Sequence, residues 1–303
     1  MKLYKNLLCI IFLITPIIFF AQTESIFNGI QLNESLDMVT KKLSEISKTT
    51  NTIVVENPSF PLAKTKEDHL ICSQINTDNG IVSKAVFTFA DDKLKYIEAR
   101  GNVQQVFVSK RVDTARVYMD YDVYFKQGLF LNKNKDMAWI LSKEAIHTNL
   151  FTWENPYLNS SKKDEINHST QIPTFLKMGA TMDEMKPLLE VNSVFTNTEK
   201  LDGSDPNAQI QINGFGVNYF GFPRKVEARF GDNKLNVVWI LTGKGEEDRI
   251  RKALINQYGK PIFSNDDWEI FNNWQVGLRK DKPEVLLMEP KIGLDYKTSY
   301  FKQ

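Results

Sequence analysis

Apolar and polar residues alternate in two stretches of this chain that can be laid over each other. Ala85, Phe87 and Phe89 alternate with polar positions, Ala90-Asp91-Asp92-Lys93 turns the chain, and Leu94 and Tyr96 resume the pattern. Val226, Ala228 and Phe230 do the same, Gly231-Asp232-Asn233-Lys234 turns, and Leu235, Val237 and Trp239 follow. A period of two marks strands with one buried face, and Asp, Asn and Gly tolerate the positive φ of a tight turn. Phe89 and Phe230 stand 141 residues apart, as do Leu94 and Leu235. The pattern therefore predicts one hairpin, used twice.

A helical pattern precedes each hairpin. Leu32-Asn33-Glu34-Ser35-Leu36-Asp37 leads into Val39 and Leu43, and Met178-Gly179-Ala180-Thr181-Met182-Asp183 leads into Met185 and Leu189. Ser35 and Thr181 are expected N-caps, since a hydroxyl accepts a bond from an unpaired first-turn amide, and Asp37 and Asp183 suit the positive end of the helix dipole. After the second hairpin, Glu246, Glu247 and Asp248 open a helix with the stripe Ile250, Ala253, Leu254 and Tyr258, stopped at Gly259-Lys260-Pro261. Its counterpart is expected between Val108 and Met119 through Val112, Ala115 and Met119, with a strand as the alternative. More strands close each half, and there Trp139 is matched with Trp274 and Glu154 with Glu289, 135 residues apart.

These elements predict an α+β protein of two tandem related modules, each an antiparallel sheet with helices packed on one face. The modules are expected at residues 22–158 and 172–303, joined by a Ser-, Asn- and Lys-rich linker at 159–171. A single α+β domain with repetitive hairpins is the alternative. Helices on one face would leave the other face of each sheet free.

The start of the chain changes where such a protein would work. Lys2 and Lys5 precede an apolar run from Leu7 to Phe20 that ends at Ala21-Gln22, the order of a secretory signal peptide, predicted here as residues 1–21. The run is short for a transmembrane helix and contains Pro16. An exported protein is expected, periplasmic or secreted from a bacterial envelope, with no membrane span after cleavage. Cys9 lies inside the apolar run, so Cys72 remains as a lone cysteine, expected buried and inert in a strand. Without Lys2 and Lys5 the formal net charge is −1, which gives no footprint for nucleic acid.

A small or polar residue, Ser or Thr, an acid and an apolar helix, followed by antiparallel hairpins, resembles the repeats of the β-lactamase-inhibitor-protein type and of small outer-membrane-assembly lipoproteins. Gly29 to Leu43 with Ala85 to Tyr96, and Lys177 to Leu189 with Val226 to Trp239, carry the resemblance. The chain departs from that family in lacking a lipobox and its disulfide cysteines, and in having longer repeats. The resemblance implies binding to another protein rather than catalysis, and it transfers no individual residue.

Candidate chemistry is sparse. His69, His147 and His168 are the three histidines; His69 falls at a strand start, His147 in a hairpin loop and His168 in the linker, and none sits in a nucleophile–base motif. Ordinary surface roles are expected for all three. No clustered His and Cys suggest zinc, and Asp202 to Asn207 lacks the register of a calcium loop, so neither a metal nor a cofactor is expected. Gly214, Gly216 and Gly221 do not form a dinucleotide fingerprint. They do bring Phe215, Tyr219, Phe220 and Phe222 beside Arg224 and Lys225, a composition common at binding hot spots. The four rings and Arg224 are the candidate binding residues, and packing into a hairpin core is the competing reading. The function expected is an exported, non-enzymatic factor that binds a protein partner, in assembly or inhibition. A carboxylate-dependent hydrolase and a carrier of a small apolar ligand are the alternatives.

Overall fold

The computed structural model describes residues 27–108, 114–159 and 172–301. The expected signal segment, Val112, His168 and all but the first residue of the expected linker lie outside the described residues.

The first module runs α1 (Leu36–Ser44), β1 (Ser47–Val55), β2 (Glu67–Thr77), β3 (Gly80–Ala90), β4 (Lys93–Arg100) and α2 (Val103–Val108). It continues through β5 (Arg116–Tyr118), β6 (Tyr121–Tyr124), β7 (Leu129–Asn132), β8 (Met137–Leu141) and α3 (Lys143–His147). The second repeats the order: α4 (Met182–Val191), β9 (Phe195–Lys200), β10 (Ile210–Tyr219), β11 (Phe222–Gly231), β12 (Lys234–Leu241) and α5 (Glu247–Tyr258). Then follow β13 (Phe263–Ser264), β14 (Trp268–Phe271), β15 (Val276–Arg279), β16 (Glu284–Met288) and α6 (Pro290–Ser299).

Each module folds into one eight-stranded sheet. The strand orders are β1-β2-β3-β4-β8-β7-β6-β5 and β9-β10-β11-β12-β16-β15-β14-β13, antiparallel throughout. Identical order and connectivity make the two halves copies of one α+β design.

Local chemistry explains the shared parts. Ser35 Oγ accepts the Met38 amide at the start of α1. Thr181 and Glu184 form a reciprocal capping box at the start of α4. Asp91 and Asp92 turn β3 into β4 at φ of 49° and 61°, and Asp232 and Asn233 turn β11 into β12 at 50° and 60°. Two successive positive φ values match the right-handed twist of a hairpin. Even the register slip is shared, between Thr88 and Phe89 and between Arg229 and Phe230.

The expected match of the closing strands is corrected. Glu98 pairs with Trp139 across β4–β8, and Trp239 with Leu286 across β12–β16, so Trp139 corresponds to Leu286, 147 positions on. Trp274 instead occupies the β14–β15 turn at φ 68°. The N-caps of α3 and α6, Ser142 and Glu289, follow the same spacing, whereas Glu154 lies beyond α3. Ladder pairing sets equivalence, and a shared residue type is no substitute for it. The helix expected between Val108 and Met119 is also displaced: α2 ends at Val108, and Arg116–Tyr118 is a strand.

In the first module α1 and α2 cover one face, packing Val39, Leu43 and Phe107 against Phe87, Phe89, Ile97 and Ile140. In the second, Met185, Leu189, Ile250 and Leu254 of α4 and α5 pack on Ala228, Phe230 and Ile240. Cys72 is buried in the first core, where burial pushes its thiol up to about 12. The opposite faces are not left free as expected. Leu150, Phe151 and Trp153 lie over Val86, Tyr96 and Trp139, and Ile292, Tyr296 and Phe301 lie over Trp239 and Leu286.

Candidate functional site

The β1–β2 loop, residues 56–66, reaches out of the first module and seats on the second. Glu67 Oε2 accepts the Ser59 and Phe60 amides at 2.5 and 2.8 Å, curling the loop so that the Phe60 ring enters a shared aromatic cluster. Its centroid is 5.6 Å from Trp153, 6.3 Å from Tyr96 and 6.3 Å from Phe222 of the second module. Arg249 on α5 donates to Ala63 O and Phe60 O at 2.8 and 3.0 Å, and Gly245 N–H donates to Pro61 O at 3.0 Å. The approach is so close that a Cβ on Gly243 would lie 2.2 Å from Pro61 O.

All five candidate binding residues are buried. Phe215 stacks on Phe195 at 4.6 Å and meets Tyr118 of the first module edge-on at 5.7 Å. Phe222 packs on Trp153 at 5.3 Å. Tyr219 and Phe220 belong to the second module's core. Arg224 is fully buried; its Nη2 donates to Glu246 Oε2 at 2.7 Å and its Nε to Tyr219 O at 3.1 Å. Phe215 and Phe222 thus bind the sister module, and none of the five side chains is presented to an outside partner.

A polar network lies beneath the loop, on the second face of the first sheet. His69 Nε2 is 2.8 Å from Glu67 Oε1, and its Nδ1 is 3.0 Å from Thr88 Oγ1. Asn155 Nδ2 reaches both His69 Nδ1 and Thr88 Oγ1, at 3.1 and 3.0 Å, and the Tyr157 ring covers the imidazole at 4.4 Å. Asn155 N–H and Tyr96 O–H both donate to Glu98 Oε2 at 2.7 Å, and Arg100 Nε donates to Glu98 Oε1 at 2.6 Å. The carboxylate–imidazole–hydroxyl order imitates a hydrolytic triad. Yet Glu67, His69 and Thr88 are sealed at 1, 0 and 0% exposure, so a substrate has no access to Thr88. His69 is therefore not the surface residue that was expected, and the network is a latch between loop, sheet and closing segment. His147 also departs from expectation: it ends the short helix α3 rather than lying in a hairpin loop.

The latch contains two carboxylates with opposite responses to acid. Burial pushes Glu67 up, but its bonds to His69 and to the Phe60 and Ser59 amides outweigh this and hold it below its ordinary 4.5. Burial dominates at Glu98 and raises it, despite Asn155, Arg100 and Tyr96. A depressed carboxylate contributes stability that is complete above 4.5 and lost as pH falls through its folded value; a raised one costs stability at higher pH, and that cost disappears on acidification. Thermal midpoints between about pH 3 and 7 should therefore fall less steeply below pH 4.5 in Glu67→Gln than in the unsubstituted chain, while Glu98→Gln should gain relative stability towards neutral pH. Parallel curves for all three chains would remove the latch carboxylates from the acid response.

The equivalent face of the second sheet has a different character. Gln211 pairs with Arg229 where His69 pairs with Thr88. Lys225, Glu227 and Arg229 alternate along β11 with side chains 24, 15 and 30% exposed. Lys225 Nζ and Arg229 Nη2 donate to the two Glu227 oxygens at 2.7 and 2.9 Å, which holds that carboxylate low against the upward push of burial. Arg229 Nε donates to Gln211 Oε1 at 2.7 Å, and Gln211 and Asn213 both donate to Glu199 on the exposed edge strand β9 at 2.8 Å. Trp239 and Phe215 lie under the Arg229 and Lys225 cations at 5.6 and 5.7 Å. The result is a pre-ordered ladder of alternating charge, partly exposed to water. Sequence alone does not disclose it, because Glu227 and Arg229 look like the solvated half of any amphipathic strand. The intervening Val226, Ala228 and Phe230 were the available signal of one shared face.

The chain matches no protein-family model, no curated protein and no solved structure. Among the described residues no group of His, Cys, Asp and Glu is arranged to hold a metal ion, and no helix is long and apolar enough to cross a membrane.

Proposed function

We propose that this chain is an exported binding factor without catalytic activity, whose two modules form one body and whose second sheet presents the Lys225–Glu227–Arg229 ladder to a protein partner. The partly exposed ladder, in which Lys225 and Arg229 both bond to Glu227 and Arg229 also to Gln211, is the observation that carries this reading. Side chains already ordered by their neighbours lose little further freedom on binding, and alternating charge selects a partner of complementary pattern. The resemblance to inhibitor-type repeats favours the same reading. A hydrolase built on Glu67, His69 and Thr88 is disfavoured because that group is sealed from substrate. A carrier of an apolar ligand is disfavoured by rings packed on one another, such as Phe130 on Phe151 at 4.5 Å.

Residues 22–303 should capture one stoichiometric partner from envelope or secreted fractions, and the purified pair should re-form a complex measurable by calorimetry. A Lys225→Gln, Arg229→Gln variant, checked by circular dichroism to be folded, should bind about tenfold or more weakly. Unaltered affinity would remove the ladder from the interface, and absence of any stoichiometric partner would overturn the binding reading.

A further inference from the structure

The closing ends of the two sheets differ in a way that leaves a hollow in the first module. Leu141 N–H donates to Gly128 O at 3.0 Å, and Met288 N–H donates to Gln275 O at 2.9 Å. These matching bonds keep the spacing of 147, so Ile146, fourth in α3, stands where α6 has Gly293. A Cβ on Gly293 would lie 2.0 Å from Trp274 O, so α6 rests on the β14–β15 turn only because that residue lacks a side chain. With isoleucine at the same place, α3 has to stand off from the β6–β7 turn.

A cavity of about 410 Å³ occupies that gap, within the size range of small-molecule sites. Residues 31–33 before α1, residues 125–128 of the turn, and residues 141–144 with Ile146 wall it. Accessible groups of two kinds stand on these walls. Phe125 is 54% exposed and meets Phe130 edge-on at 6.3 Å. Asn33 and Glu144 are exposed as well, and Lys95 ties them into a row: its Nζ donates to Asn33 Oδ1 at 2.8 Å and lies 3.7 Å from Glu144 Oε1. Burial works against the charge of Glu144, but its own amide, Ser142 and Lys95 outweigh it and hold the acid below its ordinary 4.5. At neutral pH the row therefore offers a carboxylate acceptor beside amide and ammonium donors.

A pyranose presents the complement of both kinds of group. Its hydroxyls need acceptors and donors in close succession, and its C–H face carries the partial positive charge that the negative face of an aromatic ring attracts. An apolar molecule would strip water from the polar row and return nothing for it. We propose that this hollow binds a neutral mono- or disaccharide, with a C–H face on Phe125 and hydroxyls on Asn33, Lys95 and Glu144. The site uses no residue of the ladder, so its fate does not depend on the protein-binding reading.

Saturation-transfer NMR on the whole chain tests this with the methyl pyranosides of glucose, galactose, mannose and N-acetylglucosamine. Cyclohexanol, a ring with a single hydroxyl, serves as the control. At least one glycoside should receive saturation in a saturable way, most strongly at the C–H groups of one ring face. Phe125→Ala, at an exposed position, should weaken that glycoside about tenfold with the thermal midpoint in place, whereas Phe125→Trp should preserve it. A panel in which no glycoside binds saturably would overturn the proposal. So would cyclohexanol binding as tightly as the best glycoside, or glycoside affinity unaltered in Phe125→Ala.

Discussion

Phe60→Ala should lower the stability of the chain by about 3–5 kcal/mol and split a single calorimetric transition into two. The ring is fully buried, although it sits in a loop rather than on a strand or helix. It fills space between Tyr96 and Trp153 of its own module and Phe222 of the next, so its removal leaves a cavity lined by both. Strands hydrogen-bonded into a sheet cannot shift to close such a void, which places the expected loss towards the upper part of the range. Of the loop's other ties, Arg249 to its carbonyls and Gly245 to Pro61 hold the backbone, while Phe215 on Tyr118 and Phe222 on Trp153 are aromatic contacts that stay across the seam. Scanning calorimetry would measure both effects, with Phe60→Leu keeping most of the cohesion. A single transition with a loss under about 1 kcal/mol would mean that the modules are coupled through something other than this ring.

Glu246→Ala is expected to be comparably severe, at about 3–5 kcal/mol, because it strands a buried guanidinium. Arg224 and Glu246 are both fully buried. Arg224 Nη2 makes the hydrogen bond, whereas Nη1 lies 2.7 Å from Glu246 Oε1 without the alignment for a second one. Glu246 Oε1 also accepts the Gly243 amide at 2.7 Å, fixing the turn that enters α5 next to the Pro61 contact. Arg224→Met combined with Glu246→Gln removes the stranded charge and retains an acceptor for Gly243. Urea denaturation should show this pair recovering much of the single-variant loss. A double variant as unstable as Glu246→Ala would show that the penalty comes from lost packing and not from the uncompensated charge. Arg224→Ala would likewise damage the fold, so it cannot serve as a binding-site probe.

The hairpins and their helices were legible because their determinants are local. Phe87 and Phe89 alternate within one strand, Asp91-Asp92 and Asp232-Asn233 supply the positive φ values, and Ser35 and Thr181 cap the helices that follow them. The closing strands were misaligned because Trp139 and Trp274 share a type but not a ladder position, and pairing across β4–β8 is a long-range property. The latch was hidden for the same reason: Asn155 meets His69 across 86 residues, a closure that no spacing rule encodes. The aromatic-glycine stretch had a recognisable composition but an unrecognisable destination. Rings that suit a partner's surface suit a sister module equally well, and composition cannot say which one covers them.

Chains are made from the N-terminus, and the seam between the modules gives that direction a consequence. When Leu158 has been added, the first sheet has all its strands, yet Phe215 and Phe222 do not exist. Phe60, Phe151 and Trp153 must then wait with one side uncovered until the second hairpin pair arrives. For that interval the half-finished molecule carries a sticky aromatic patch, and any slowing of synthesis or transport lengthens its exposure. The polar latch beneath Phe60 is made of first-module residues alone, so none of its hydrogen bonds has to await the second half.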